Sequence, residues 1–338
     1  MKFERQQTFQ RNAELEALLQ RLNQLLAPVE ELTIEPFGYP IYPVIFIVGC
    51  ARAGSTLLLQ WLANSGVFAY PSNLLSRFFG APFVGALIQQ LLTDPTYNFN
   101  NEILDFCSDI NFSSKLGKTK GALAPNEFWY FWRRFLGNGD MQHLKPLRLS
   151  PADQKKFVAE FAALEQVFNK PFVLKGHIIN WNISYISQLF KKALFLYITR
   201  EPVYNAQSLL EARVKFYGDR NAWYSFKPRE YEQLQSLPPV EQVAGQVYFT
   251  NHAIETELAG IQASRWLNIR YEELCSSPSK IFLQIKEKLT QQTDMLSHSE
   301  YSGPTHFHTT NQKRLKSHEV QAIYDAYKNF SETLAENL

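Results

Sequence analysis

Leucines at 15, 18, 19, 22, 25 and 26 recur at helical spacing, which gives the segment 1–30 an amphipathic helix with one apolar face. Pro28 is expected to end that helix. Its apolar face should pack on the rest of the chain, with a seam to a second copy as the alternative. The pattern then changes. Val44-Ile-Phe-Ile-Val48 is continuous, apolar and largely β-branched up to Gly49, as befits a strand covered on both faces of a parallel sheet. Ser55 to Asn64 returns to helical spacing, so strand, glycine-bearing loop and helix make a first βα unit.

Residues 77–150 are rich in aromatics (Phe78, Phe79, Phe83, Trp129, Phe131, Trp132) and mostly helical in pattern. Core explains most of these rings, but the segment interrupts the βα alternation and could line an acceptor-side pocket. Ser150-Pro151 is a helix start, with serine at the N-cap and proline at N1, and that helix should run to about Asn169. Phe172–Lys175, Ala193–Thr199 and Trp266–Arg270 read as further strands. Pro202, Val240, Ser277-Pro278 and Ser317 open further helical stretches. Strands alternating with helices predict an α/β fold with a doubly wound, mostly parallel sheet flanked by helices. Without repeats or a low-complexity linker, the expectation is one domain over 1–338, with a helical, aromatic-rich insertion at 77–150.

Composition narrows the chemistry. The 338 residues include 45% hydrophobic and 20% charged positions, a globular balance. A net charge of +2 does not suggest a nucleic-acid partner, so any anion site must rest on particular residues. Cys50, Cys107 and Cys275 are too few and too scattered for a disulfide framework or a zinc site. The polar segment Met1–Gln24 lacks a signal-peptide core, and Arg52 breaks the best apolar stretch. These features predict no membrane span and a cytoplasmic location.

Gly49-Cys-Ala-Arg-Ala-Gly54-Ser-Thr56 lies between the first strand and its helix. Two glycines let successive N–H groups turn inward on an anion, and the helix start adds unpaired donors. Ser55 and Thr56 add hydroxyls. The loop is similar to G-x-x-x-x-G-K-[ST], but Ser55 stands where the lysine belongs, and the cation has moved to Arg52. The strand 193–199 ends in Arg200, where a magnesium-binding aspartate would serve a kinase. A nucleoside-triphosphate kinase is therefore the weaker reading. Ser208, eight residues beyond Arg200, could converge with it on a phosphate.

Together, this loop, Tyr197-Ile-Thr-Arg-Glu-Pro202 and Ser208 resemble the PAPS-dependent sulfotransferase family in its bacterial form. The resemblance spans 44 to about 328. It implies a P-loop-like fold, 3′-phosphoadenosine-5′-phosphosulfate (PAPS) as co-substrate without a metal, and release of 3′,5′-ADP. Arg52, Ala53, Gly54, Ser55 and Thr56 would hold the 5′-phosphosulfate, and Arg200 and Ser208 the 3′-phosphate. Tyr271, in Asn268-Ile-Arg-Tyr-Glu-Glu-Leu274, would lie near the adenosine. The basic stretch Asn311–Lys316 would help to hold the nucleotide. Ala51 and Ala53 depart from the proline and small polar residue usual in the family's loop.

The resemblance also implies a base. Lys175-Gly-His177 is similar to the family's Lys-Thr-His, with His177 as base and Lys175 and Arg52 stabilising the developing charge. Members that use a glutamate place it soon after the loop, where this chain has none. Glu127, among the aromatics of 126–132, is the alternative. The acceptor would be a hydroxyl on a small molecule, carbohydrate, phenol or lipid. A non-catalytic nucleotide-binding protein, with His177 and Glu127 both structural, is the other alternative. His298, His306 and His308 lack the carboxylates or thiols of a metal site. The sequence does not indicate an oligomeric state.

Overall fold

A computed structural model describes residues 3–98, 110, 112–137, 148–293 and 300–336; Cys107 and His298 lie outside them. In chain order the elements are α1 (Ala13–Ile34), β1 (Ile45–Gly49), α2 (Ser55–Asn64), α3 (Pro82–Thr93), α4 (Trp129–Leu136) and α5 (Pro151–Phe168). There follow β2 (Val173–Lys175), α6 (Ile183–Leu189), β3 (Leu194–Thr199), α7 (Pro202–Tyr217) and α8 (Tyr231–Leu234). The last are α9 (Pro239–Ala259), β4 (Trp266–Arg270), α10 (Tyr271–Ser276), α11 (Pro278–Thr290) and α12 (Ser317–Glu336).

The four strands form one parallel sheet in the order β2-β1-β3-β4. β1 lies in its interior, with Ile45 in register with Val173 on one side and Leu194 on the other. Every residue of β1 is buried, which is why its run is continuously apolar instead of alternating. Alternation reappears in what each side chain touches. Phe46, Val48, Phe195 and Tyr197 enter a core with Phe131, Trp132, Phe157 and Phe161. Ile45, Ile47, Leu194, Leu196 and Ile198 enter the opposite core with Leu58, Trp61, Ile281 and Phe282. Helices therefore cover both faces of the sheet.

The chain leaves β1 toward β2 and leaves β3 toward β4. The carboxyl ends of β1 and β3 thus flank a topological switch point, where open α/β sheets bind ligands. A Cβ on Gly49 would lie 2.5 Å from the Ile198 carbonyl oxygen, so only glycine allows these two strand ends to approach so closely.

Two expectations are corrected. α1 does not stop at Pro28 but continues to Ile34. Pro28 is exposed, so the carbonyl it leaves without an N–H donor can be met by water, while Glu30 and Ile34 anchor the last turns inward. Glu30 accepts from Phe83 N at 2.8 Å and Val84 N at 3.1 Å, the first turn of α3. The segment 77–150 is also less helical than its pattern suggests. Residues 112–128 form turns and isolated bridges, among them the reciprocal pair Lys115–Lys118.

Candidate active site

The 49–56 loop is shaped by its backbone. Arg52 (φ 68°) and Gly54 (φ 107°) are both left-handed, and no side chain caps the start of α2. The first N–H groups of that helix have no acceptor within it, so the loop and helix start offer a concave set of donors to an anion. Two asparagines fix the loop. Asn180 Nδ2 donates to the Gly49 carbonyl at 2.9 Å, and its Oδ1 accepts from Gly49 N at 3.3 Å. Asn205 Nδ2 donates to the Ala51 carbonyl at 2.8 Å. Neither residue carried a signal in the sequence.

Arg52, Arg200 and Ser208 come together. Arg52 Nε donates to Ser208 Oγ at 3.2 Å, and Arg200 Nη1 donates to the Arg52 carbonyl at 3.1 Å. The serine thus bonds Arg52, although its spacing had linked it to Arg200. Arg200 is only 7% exposed. It also donates to Asn311 Oδ1 at 2.8 Å and Thr310 Oγ1 at 3.1 Å, and lies 4.7 Å from the Tyr271 ring centre. Burial pushes its guanidinium below the ordinary arginine value; Tyr271 opposes that shift, and the positive charges of Arg52 and Arg314 add to it. An anion between Arg52 and Arg200 would relieve that repulsion.

Tyr271 packs against the loop itself, since a Cβ on Gly54 would lie 2.5 Å from its Cδ2. Its hydroxyl accepts from Thr310 N at 3.1 Å, which ties the 309–316 stretch to the site. Thr310 was missed in the sequence; its neighbours at 311–316 were not.

A second cluster adjoins the loop. Lys175, at the end of β2 and 5% exposed, donates through Nζ to Thr56 Oγ1 at 2.7 Å and to Glu127 Oε1 at 2.9 Å. Glu127 precedes α4 at a strained turn, as the next residue, Phe128, has φ 54°. The Glu127 side chain keeps 47% of its accessible surface. Partial desolvation raises its pKa, but Lys175, His177 and Arg52 together outweigh that and hold the carboxyl below its ordinary value. His177 is half-buried, with Nε2 shut off from solvent. Burial first, and Lys175 second, lower its pKa to about 4, and Nε2 has no hydrogen-bond partner among the described residues. Gly117 closes the cluster from above. A Cβ there would lie 3.1 Å from Glu127 Oε1 and 3.5 Å from Thr56 Oγ1.

His306 and His308 stay apart from this site, and Cys50, although in the loop, turns its side chain into the core. Among the described residues no group of His, Cys, Asp and Glu could hold a metal ion; His306 and His308 meet edge-on with ring centres 6.0 Å apart, and His306 Nδ1 lies 3.2 Å from Thr305 Oγ1. Burial pushes the Cys50 thiol up to about 12, which makes it a poor nucleophile. Among the described residues no helix is long and apolar enough to cross a membrane.

An uncapped loop at the switch point, with two arginines converging on it, defines an α/β protein of P-loop-like fold. Residues 43–294 match the Sulfotransferase family, and the chain belongs to it as a transferase. Sulfotransferase STF9 from Mycobacterium avium shares the fold at TM-score 0.50 and 14% identity, over 94% of this chain and 81% of that one. Sulfotransferase STF1 from Mycobacterium tuberculosis H37Rv does so at TM-score 0.50 and 14% identity, over 91% of this chain and 82% of that one. No protein of curated function matches the chain in sequence.

Proposed function

We propose that the protein transfers the sulfuryl group of PAPS to an acceptor hydroxyl and releases 3′,5′-ADP. The observation that carries this is the meeting of Arg52, Ser208 and Arg200 beside an uncapped helix start. It supplies two cations and a ring of donors for two separate anionic groups. The donor's phosphosulfate would lie against the loop N–H groups, Arg52, Ala53, Gly54, Ser55 and Thr56. Arg200 and Ser208 would hold the 3′-phosphate, with Tyr271 against the adenosine. The bound donor supplies the sulfur electrophile and a stable leaving phosphate.

Lys175 is placed to neutralise charge developing next to Thr56. Glu127 is the better-placed base, because its carboxylate is ionised, solvent-reachable and paired with Lys175. A second reading keeps His177 as the base. Its neutral imidazole has a buried Nε2 without a partner, which a hydroxyl could occupy.

Calorimetric titration tests the donor. Tight binding of 3′,5′-ADP, with a large loss for 5′-AMP and for ATP–magnesium, is expected. Comparable weak binding of all three would remove the 3′-phosphate site. Tight binding with no turnover of PAPS on any hydroxyl would leave a nucleotide-binding protein instead of an enzyme.

A further inference from the structure

α1 is buried along one side and bare along another. Leu19, Asn23, Glu30 and Ile34 face the body of the protein. Asn23 is clamped by the carbonyls of Leu19 and Arg77 and by Gly80 N, so the helix is fixed in place. Away from that side, Leu15, Leu18, Leu25, Val29 and Leu32 are 37%, 63%, 67%, 53% and 75% exposed, with Leu22 partly exposed between them. Just past the helix, Tyr39 and Ile41 are 71% and 70% exposed. An apolar stripe this long on a fixed helix marks an interaction surface.

The spacing of the stripe says what covers it. Positions 15, 18, 22, 25, 29 and 32 alternate steps of three and four, the a/d seam of a two-stranded coiled coil. Such a seam is complementary to a copy of itself. Twenty-two helical residues make it ~33 Å long. The family match begins at residue 43, so the helix lies outside the segment that defines the family. We infer that α1 pairs with α1 of a second copy, antiparallel, through this seam.

The flanking charges select the direction. Setting Leu22 opposite the partner's Leu32, and Leu25 opposite the partner's Val29, centres the two-fold axis on Ala27. In the same register Arg21 and the partner's Glu35, both at g positions beside the seam, lie two residues (~3 Å) from level, and the pair occurs twice. Both residues are exposed, and neither has an ion-pair partner among the described residues. A parallel pair would set Arg21 opposite Leu26 and leave it unpaired. A membrane surface is disfavoured by charge. Glu14, Glu16, Glu30 and Glu31 outnumber the helix's one cation, Arg21, whereas surface-bound helices carry Lys and Arg on the polar face.

Light scattering on the eluting full chain should give twice the chain mass. Leu25→Glu combined with Leu32→Glu should raise the dissociation constant on the order of 100-fold. Helicity should be unchanged, because both side chains are exposed in the single chain, and melting should fall only by what pairing contributes, becoming independent of concentration. Arg21→Glu alone should weaken the dimer ~5-fold, and adding Glu35→Arg should restore it. A monomer at every concentration, or a dimer indifferent to the leucine changes, overturns the pairing. Failure of the charge swap to rescue overturns the antiparallel register. Vesicles of phosphatidylglycerol that bind the chain, and lose it on the leucine changes, would assign the stripe to a lipid surface.

Discussion

At the scale of single residues, the site is a set of cations whose partners come from distant parts of the chain. Arg200 is buried, stacked on Tyr271 and held by Asn311, Thr310 and the Arg52 carbonyl. Arg200→Ala is expected to weaken 3′,5′-ADP binding by ~1.5–3 kcal/mol, the range for a hydrogen bond to a charged group. Calorimetry on the variant checks this, and an unchanged affinity would take Arg200 out of the 3′-phosphate site. The proton acceptor can be resolved in the same way. Glu127→Gln should lower turnover by ~10²–10⁴ while leaving 3′,5′-ADP affinity in place. If His177→Asn produces that drop and Glu127→Gln does not, the base is the histidine. A pH profile alone would not separate them, since His177 titrates near 4 and Glu127 below its ordinary value.

Much of this scale was legible. Arg52, Arg200 and Ser208 were singled out by loop, strand end and spacing, Lys175 and Tyr271 by the family resemblance, and Glu127 by its aromatic surroundings. Which of them touch was not legible. Ser208 bonds Arg52, and Lys175 links Thr56 to Glu127 across 119 and 48 residues of sequence. Asn180 and Asn205 left no trace, because a polar residue that braces backbone looks like any other polar residue, and Gly117 looks like any turn glycine.

Elements turn those residues into a cleft. The left-handed Gly54 lets Tyr271 press directly on the 49–56 loop. Gly54→Ala would push a methyl group into that ring, and its positive φ adds strain whatever the ring does. The expected result is a loss of 3′,5′-ADP affinity of at least ~10-fold, together with a lower melting temperature. A variant that binds normally would show that Tyr271 can move without consequence. Element boundaries were read closely where turn chemistry marked them. Ser150 caps α5 through Asp153 N at 3.1 Å, and Asn169 ends that helix in the left-handed conformation. Pro28 misled because proline penalises a helix only locally, and a buried carboxylate two residues later holds the helix through it.

At the scale of the whole molecule, two buried titrating groups oppose each other. His177 has its pKa lowered to about 4, so the unfolded chain takes up a proton first as pH falls below 6.5. Its contribution is intact above 6.5 and is lost by pH 4, worth ~3 kcal/mol. Burial raises Glu30 to about 7 against the pull of the α3 N–H groups, so the folded state holds that proton longer. That contribution is present below 4.5 and is lost as pH rises through about 7, again ~3 kcal/mol. Between pH 5 and 7 the two slopes cancel in part. Urea unfolding should show Glu30→Gln losing more stability than wild type on going from pH 7 to 5, and His177→Asn losing less. Parallel pH dependence in all three proteins would show that neither group titrates as its burial implies.

The sequence by itself determined the βα alternation, the four strands, the helix starts and the glycine-bearing loop between the first strand and its helix. These follow from local forces: apolar periodicity, capping and the conformational freedom of glycine. Tertiary structure alone decided that β1 lies between β2 and β3, and therefore that the loop faces the end of β3. It also decided which partner each cation takes, and which side of α1 stays bare. Those outcomes depend on contacts between residues tens to hundreds of positions apart. A repeat of leucines shows that a helix has an apolar face, but only packing shows which of those leucines the molecule leaves uncovered.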